Sequence, residues 1–395
     1  MKVSRSDSVS DFSLVQGGPL FQLFVRTRLS GTSLEWLHRR VIFAIGLAWL
    51  PLLLLSLFGA HPARDAVKVP FLFDVEVHVR LLISLPVLLA ADLSVHTRLR
   101  SAIQQFITRG IIRPPELEKF HRAVESTLRL RNSVALELGL ILLVWSFGIW
   151  LWWTRMALDQ ATWYGTPAGG SWQLSTAGYW YALVSLPMIQ FLLVRWYFRM
   201  VLWIVFLWRV SRLDLHLQPL HTDGAGGLAF LGQGSFAFAL IVFAHAALLA
   251  GFIANRIFHA GEQIQHFRLE AAALILLSLL VVLGPLTMYT SQLMRARWRG
   301  ELDYGTLQSR VTKVFHDDWI SSETPPEGRM LSHPDFSAVA DSGSAYASMR
   351  DMRVLPFGTD VVLWLAATAL APLLPLALTA FSLEELLVKV FSVLF

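Results

Sequence analysis

The chain has 395 residues, of which 55% are hydrophobic and 15% charged, against about 45–50% and about 25% in soluble domains, so a soluble multi-domain enzyme is excluded. A net charge of +5 in such an apolar chain reads as a topology signal before it reads as a nucleic-acid footprint, and nucleic acid is not an expected partner. The absence of cysteine excludes disulfides, thiolate zinc sites, iron–sulfur clusters and cysteine nucleophiles.

Residues 1–40 carry Lys2, Arg5, Arg26, Arg28, Arg39 and Arg40 with no apolar stretch before Val41. They lack the early apolar region of a signal peptide, which predicts a retained cytoplasmic tail. Apolar segments follow at about 41–59, 80–95, 134–154, 177–195, 235–255, 269–294 and 358–380. They predict an all-α integral membrane protein with seven transmembrane helices in a lipid bilayer. The second segment is short for a core of about 30 Å, so its helix is expected to begin in the preceding FLFDVEVHVR stretch. Within that stretch, Asp74 with His78 and Glu76 with Arg80 are spaced as i,i+4 pairs.

With a cytoplasmic N-terminus, 26 of the 33 basic residues fall in cytoplasmic segments. That asymmetry predicts N-terminus in and C-terminus out. Trp145, Trp150, Trp152, Trp153, Trp163, Trp172 and Trp180 then gather at the outer face as an aromatic belt. Five spans hold proline, at Pro51, Pro86, Pro187, Pro285 and the pair Pro372 and Pro375. Each bends its helix, either as a static fit or as a hinge.

Between the spans the expected units run in order. Residues 1–40 are the tail and 41–96 the first two helices. Residues 97–133 form a cytoplasmic helical pair broken at Arg113-Pro114-Pro115. The third and fourth helices with a cytoplasmic extension occupy 134–208, because 32 residues from Ala177 to Trp208 exceed the bilayer core. A Gly-rich cytoplasmic loop is expected at 209–234, the fifth and sixth helices at 235–295, and a cytoplasmic helix followed by a mobile loop (321–349) within 296–357. The seventh helix and a C-terminal amphipathic helix, with Glu384, Glu385 and Lys389 on one face, fill 358–395.

Candidate sites lie on both the helices and the loops. Arg195 and Arg199 share a helix face near the inner interface, at the level of Asp92, Glu137 and Asp360. These five charges read either as an ion-pair layer or as an entrance ring for a cation or proton. His245 sits mid-span among small residues and reads either as an interhelical hydrogen bond or as a proton relay. In the loop LDLHLQPLHTDGAGGLAFLGQG, His216, His221 and Asp223 could ligate a divalent metal, Thr222 or Asp223 could cap a helix, and Gly224, Gly226 and Gly227 could cradle an anion. No catalytic constellation such as GxSxG or HExxH is present, so no catalytic residue and no cofactor is assigned.

At HTDGAGGLAFLG and RWRGELDYGTLQSRVTKVFHDDWI the sequence resembles an uncharacterised family of bacterial polytopic inner-membrane proteins with an H-x-D-x-x-G-G-L cytoplasmic loop. Asp303-Tyr304-Gly305 stands where that resemblance implies Glu-Tyr-Gly. The resemblance implies a bacterial inner membrane and no defined chemistry. The expected function is a channel or transporter component moving an ion or small solute. The competing expectation is a membrane-embedded sensor or signalling scaffold working through its cytoplasmic helices. Homo-oligomerisation is left open.

Overall fold

The computed structural model describes residues 12–27, 31, 36–60, 67–155, 161–168, 171–322 and 334–377. It is an all-α multi-pass membrane protein, with seven helices among the described residues long and apolar enough to cross a bilayer. A short amphipathic helix, α1 (Pro19–Arg26), precedes the first span. The spans are α2 (Leu37–Phe58), α3 (Val75–Thr108), α5 (Val134–Trp152), α6 (Thr176–Val210), α7 (Ala229–Ala260), α8 (Ile264–Ile320) and α10 (Thr359–Ala377). Between them stand α4 (Leu117–Arg131), a β-hairpin of β1 (Gly165–Ala168) and β2 (Ser171–Leu174), and α9 (Pro334–Arg350). Helix α3 does begin inside the FLFDVEVHVR stretch, at Val75, where the Asp74 carboxylate accepts the Val77 N–H at 3.1 Å.

Helix α7 is the centre of the bundle. In its most apolar stretch 61% of residues are buried by protein, against 11% in α5 and 22% in α8, whose apolar surfaces are left for lipid. Because lipid is as apolar as leucine, polar cross-links and close small-residue contacts hold such helices together. Ser84 Oγ donates to Ala244 O at 3.2 Å, Ser185 Oγ to Ala48 O at 2.7 Å, and Trp196 Nε1 to Leu88 O at 3.0 Å.

The prolines leave their marks on the helices that carry them. Pro51 lacks the N–H that would bond Leu47 O, and Trp180 Nε1 supplies a donor to that carbonyl at 3.1 Å. Wide π-type turns at Val79–Ser84 and Tyr181–Ser185 precede Pro86 and Pro187, and tight 3-10 turns contain Pro285 (Gly284–Tyr289) and Pro372 (Ala371–Leu373). Each turn re-spaces the hydrogen-bond ladder that the proline interrupts.

Three local expectations change. Residues 12–15 are not a solvated tail, since Phe12, Leu14 and Val15 are at most 1% exposed and Phe12 packs 5.6 Å from the Phe206 ring. The segment 334–350 is helix instead of loop. Pro334 and Asp335 suit a helix start, and α9 packs antiparallel on α8, with Met349 against Gly300, Tyr346 against Gly305 and Phe336 ringed by Phe315 and Trp319. The Gly-rich loop closes at Leu228, because 229–234 already belong to α7. There Gly232 is the residue that lets helix meet backbone, as a Cβ would stand 2.6 Å from Pro356 O.

The aromatic belt also divides. Trp145 and Trp150 are exposed, whereas Trp152 and Trp163 are buried, and Trp163 Nε1 donates to Asp74 at 2.7 Å. Glu76 pairs with Arg80 as spaced, but His78 accepts from Trp49 Nε1 instead of meeting Asp74. The C-terminal amphipathic helix expected over 381–395, and residues 323–333 of the expected mobile loop, lie outside the described residues.

Candidate functional site

Four of the five charges expected at one level do meet. Asp92 on α3 is 6% exposed and lies between two guanidinium groups. Arg40 Nη1 on α2 approaches Oδ2 at 3.0 Å, and Arg199 Nη1 on α6 approaches Oδ1 at 2.7 Å. One turn back on α6, Arg195 Nε stands 3.6 Å from Glu137 Oε1 on α5. Arg199 also stacks over the Trp196 ring at 4.7 Å, which fixes its orientation. The i,i+4 spacing of the two α6 arginines delivers both to the same interhelical space.

Two further groups complete the cluster. Arg131, at the end of α4, donates to Ser13 O of the buried N-terminal segment, and Ser13 Oγ meets His96 Nδ1 at 2.9 Å, one turn after Asp92. Burial, followed by the Arg199 charge, pulls the Arg131 guanidinium down to about 10. A cavity of about 20 Å³, room for one water-sized occupant, is lined by Arg131, Arg195, Arg199, Glu137, Gly17 and Gly18 among others. Among the described residues, Arg40 Nε and Nη2 are buried without a hydrogen-bond partner. Four arginines among the described residues therefore face two carboxylates, an excess of positive charge where solvation is poor.

The remaining predicted residues lie elsewhere. Asp360 is exposed near the start of α10 and does not join the cluster. His245 bridges α7 and α6, its Nε2 2.6 Å from the Tyr197 hydroxyl and its Nδ1 2.7 Å from Ile241 O. Both ring nitrogens are thus engaged, and His245 lines neither the cluster cavity nor the cavity of about 880 Å³ at the end of α6.

His216, His221 and Asp223 do not form a ligand set. Among the described residues no group of three His, Asp or Glu side chains is placed to hold a metal. The His216 ring turns to Arg113 at 3.4 Å, while the Asp223 carboxylate is consumed by its own loop. Its Oδ1 accepts the N–H groups of Ala225 (2.9 Å) and Gly227 (3.0 Å), and its Oδ2 accepts that of Ala229 (3.1 Å). The glycine-rich helix start is an anion cradle whose anion is internal. Burial would raise the Asp223 carboxyl, but the three backbone N–H donors and His221 outweigh it and hold it below the ordinary carboxylate value.

Arg109 Nη1 (3.3 Å) and the backbone of 353 tie this loop to its neighbours, with Arg353 N donating to Gly224 O at 2.7 Å. Gly224, Gly226 and Gly227 have φ of 64°, 62° and 98°, the left-handed region the loop requires. Sequence reasoning overlooked Arg40 and Arg131, whose charges were absorbed into the topology count, and Ser13, for which no sequence signal existed. Comparison with protein families, curated proteins and solved structures finds no match to this chain.

Proposed function

We propose that the chain is a channel or transporter component of a bacterial inner membrane, oriented with its N-terminus inside and its C-terminus outside, and that the solute it moves is a small anion. The observation that carries this reading is the excess of arginine over carboxylate in the buried cluster, where four spans and the N-terminal segment meet. Uncompensated guanidinium groups away from water favour an anionic occupant and repel cations. The sign of the cluster thus turns the expected cation or proton ring into an anion site.

The test is flux into proteoliposomes of the purified protein. Chloride or nitrate should enter faster than in protein-free liposomes, potassium should not, and Arg195→Gln should slow anion entry at least tenfold at equal incorporation. Potassium entry without anion entry would overturn the reading, as would anion flux equal to the protein-free control.

Orientation rests on the distribution of basic residues and is tested separately, which a cysteine-free chain makes clean. An impermeant thiol reagent applied to intact cells should label Gln173→Cys and Gln265→Cys, both exposed, and should not label the exposed Glu118→Cys or Ser348→Cys until the membrane is opened. The reverse pattern would invert the topology.

A signalling scaffold is the second reading, favoured by the long α8–α9 hairpin. Helix α8 has 57 residues, roughly 85 Å at 1.5 Å per residue against a bilayer core of roughly 30 Å. Its distal part leaves Leu302, Leu307 and Val314 more than half exposed, a surface open to a partner or a second copy.

A further inference from the structure

A cavity much larger than that of the arginine cluster lies elsewhere in the bundle. It measures about 880 Å³ and opens between the end of α6, the extended segment 213–219 and the face of α8 that follows its apolar stretch. That size falls in the range of about 300 to 1,000 Å³ typical of small-molecule sites. Four arginines line it, Arg113, Arg212, Arg295 and Arg299, against two carboxylates, Asp214 and Asp303.

Only part of that positive charge is answered within the protein. Arg113 Nη1 pairs with Asp214 Oδ2 at 3.0 Å. Arg212 rests on the Trp208 ring at 5.6 Å. Among the described residues, no carboxylate lies within salt-bridge distance of Arg212, Arg295 or Arg299. Arg295 and Arg299 are four residues apart on one face of α8, a like-charge pair that disfavours the helix unless an anion sits between them.

The geometry points to this cavity as a binding site for a phosphate-bearing ligand. Guanidinium forks match the oxygens of a phosphate two at a time, and several forks converging on one concavity suit an anionic phosphate group. Trp208 and Tyr304 add aromatic surface to the wall for the part of the ligand beyond the phosphate. The phosphate has two possible sources. Trp208, Met294 and Trp298 are exposed beside the opening, as side chains at a bilayer interface are, and basic pockets between spans take lipid headgroups. The same opening admits a soluble phosphate ester from the aqueous side. This site is independent of the buried cluster and of the transport reading, since it shares no residue with that cluster.

The experiment uses the full chain in phosphatidylcholine nanodiscs, with two probes. Glycerol 3-phosphate in solution should raise the thermal midpoint if the ligand is soluble. Phosphatidylglycerol mixed into the disc should co-purify through detergent exchange and be detected by native mass spectrometry if the ligand is a lipid. Either result supports the site provided that Arg295→Gln with Arg299→Gln weakens that probe at least tenfold, while Arg310→Gln, on the same helix outside the cavity, leaves it unchanged. Arg299→Lys keeps the charge without the fork and should weaken binding to an intermediate degree, a check that does not depend on the double variant folding. Absence of both effects in the unsubstituted protein would overturn the inference, as would equal losses in Arg310→Gln.

Discussion

Asp92→Ala is expected to cost about 3 to 5 kcal/mol, the range for removing one partner from a buried ion pair, and to be the most damaging single substitution among the clustered charges. Its carboxylate is shared by Arg40 and Arg199, both at most 4% exposed, so its loss leaves two buried guanidinium groups without a counter-charge. Asp92→Asn keeps the shape and loses the charge, and should fall nearly as far. Glu137→Gln should do less harm, because its contact with Arg195 is longer, at 3.6 Å. Thermal unfolding in nanodiscs and the monodisperse fraction on size exclusion would rank the three. Adding Arg199→Gln to Asp92→Asn should recover part of the loss, since removing both charges is milder than stranding one. If Asp92→Ala were as stable as the unsubstituted protein, the cluster would have to be solvated and the anion site would lose its basis.

Gly226→Val should abolish folding or assembly, while His221→Ala should lower stability only modestly. At φ of 62° a β-branched residue is strained, and its Cβ would also stand 2.9 Å from Met352 Cε and 3.3 Å from Leu293 Cδ2. His221 is partly exposed and contributes one contact to an Asp223 already held by three N–H groups. The loop should also give the protein an acid limit. Because the folded-state pKa of Asp223 is depressed, its contribution is complete above the ordinary carboxylate value of about 3.9 and is lost as pH falls through the lowered value. Asp223→Asn should lower stability at neutral pH and flatten the acid limb of the pH–stability curve. Expression level, elution profile and thermal midpoints from pH 3 to 7 would read these effects. Valine tolerated at 226 with a damaging His221→Ala would reverse the order argued here.

The amino-acid sequence by itself determined the class of the protein and the places of its helices. Apolar length and the cost of unpaired backbone in lipid leave a chain with seven such runs little alternative to seven helices, and all seven stand within a few residues of their expected starts or extend beyond them as predicted at Val75 and after Arg195. The meeting of Asp92, Glu137, Arg195 and Arg199 was also legible, because charges at one depth of a bilayer seek one another. Tertiary structure alone decided which charges completed that layer. Arg40 and Arg131 entered it, and Asp360 did not, because depth along a helix is written in residue spacing whereas the rotation of each helix is set by its neighbours.

The same reason explains the other departures. Residues 12–15 became core because Phe206 and Arg131, nearly two hundred and over one hundred residues away, supplied a pocket and a donor. The Ser- and Gly-rich α9 became helical because α8 offered small residues, Gly300 and Gly305, for it to pack against. Asp223, read as a possible metal ligand, had its valence filled by backbone N–H groups once the glycines turned left-handed. The arginine-lined cavity, assembled from residues 113, 212, 295 and 299, had no local signature at all. It exists only where the end of α6 and the middle of α8 are brought side by side.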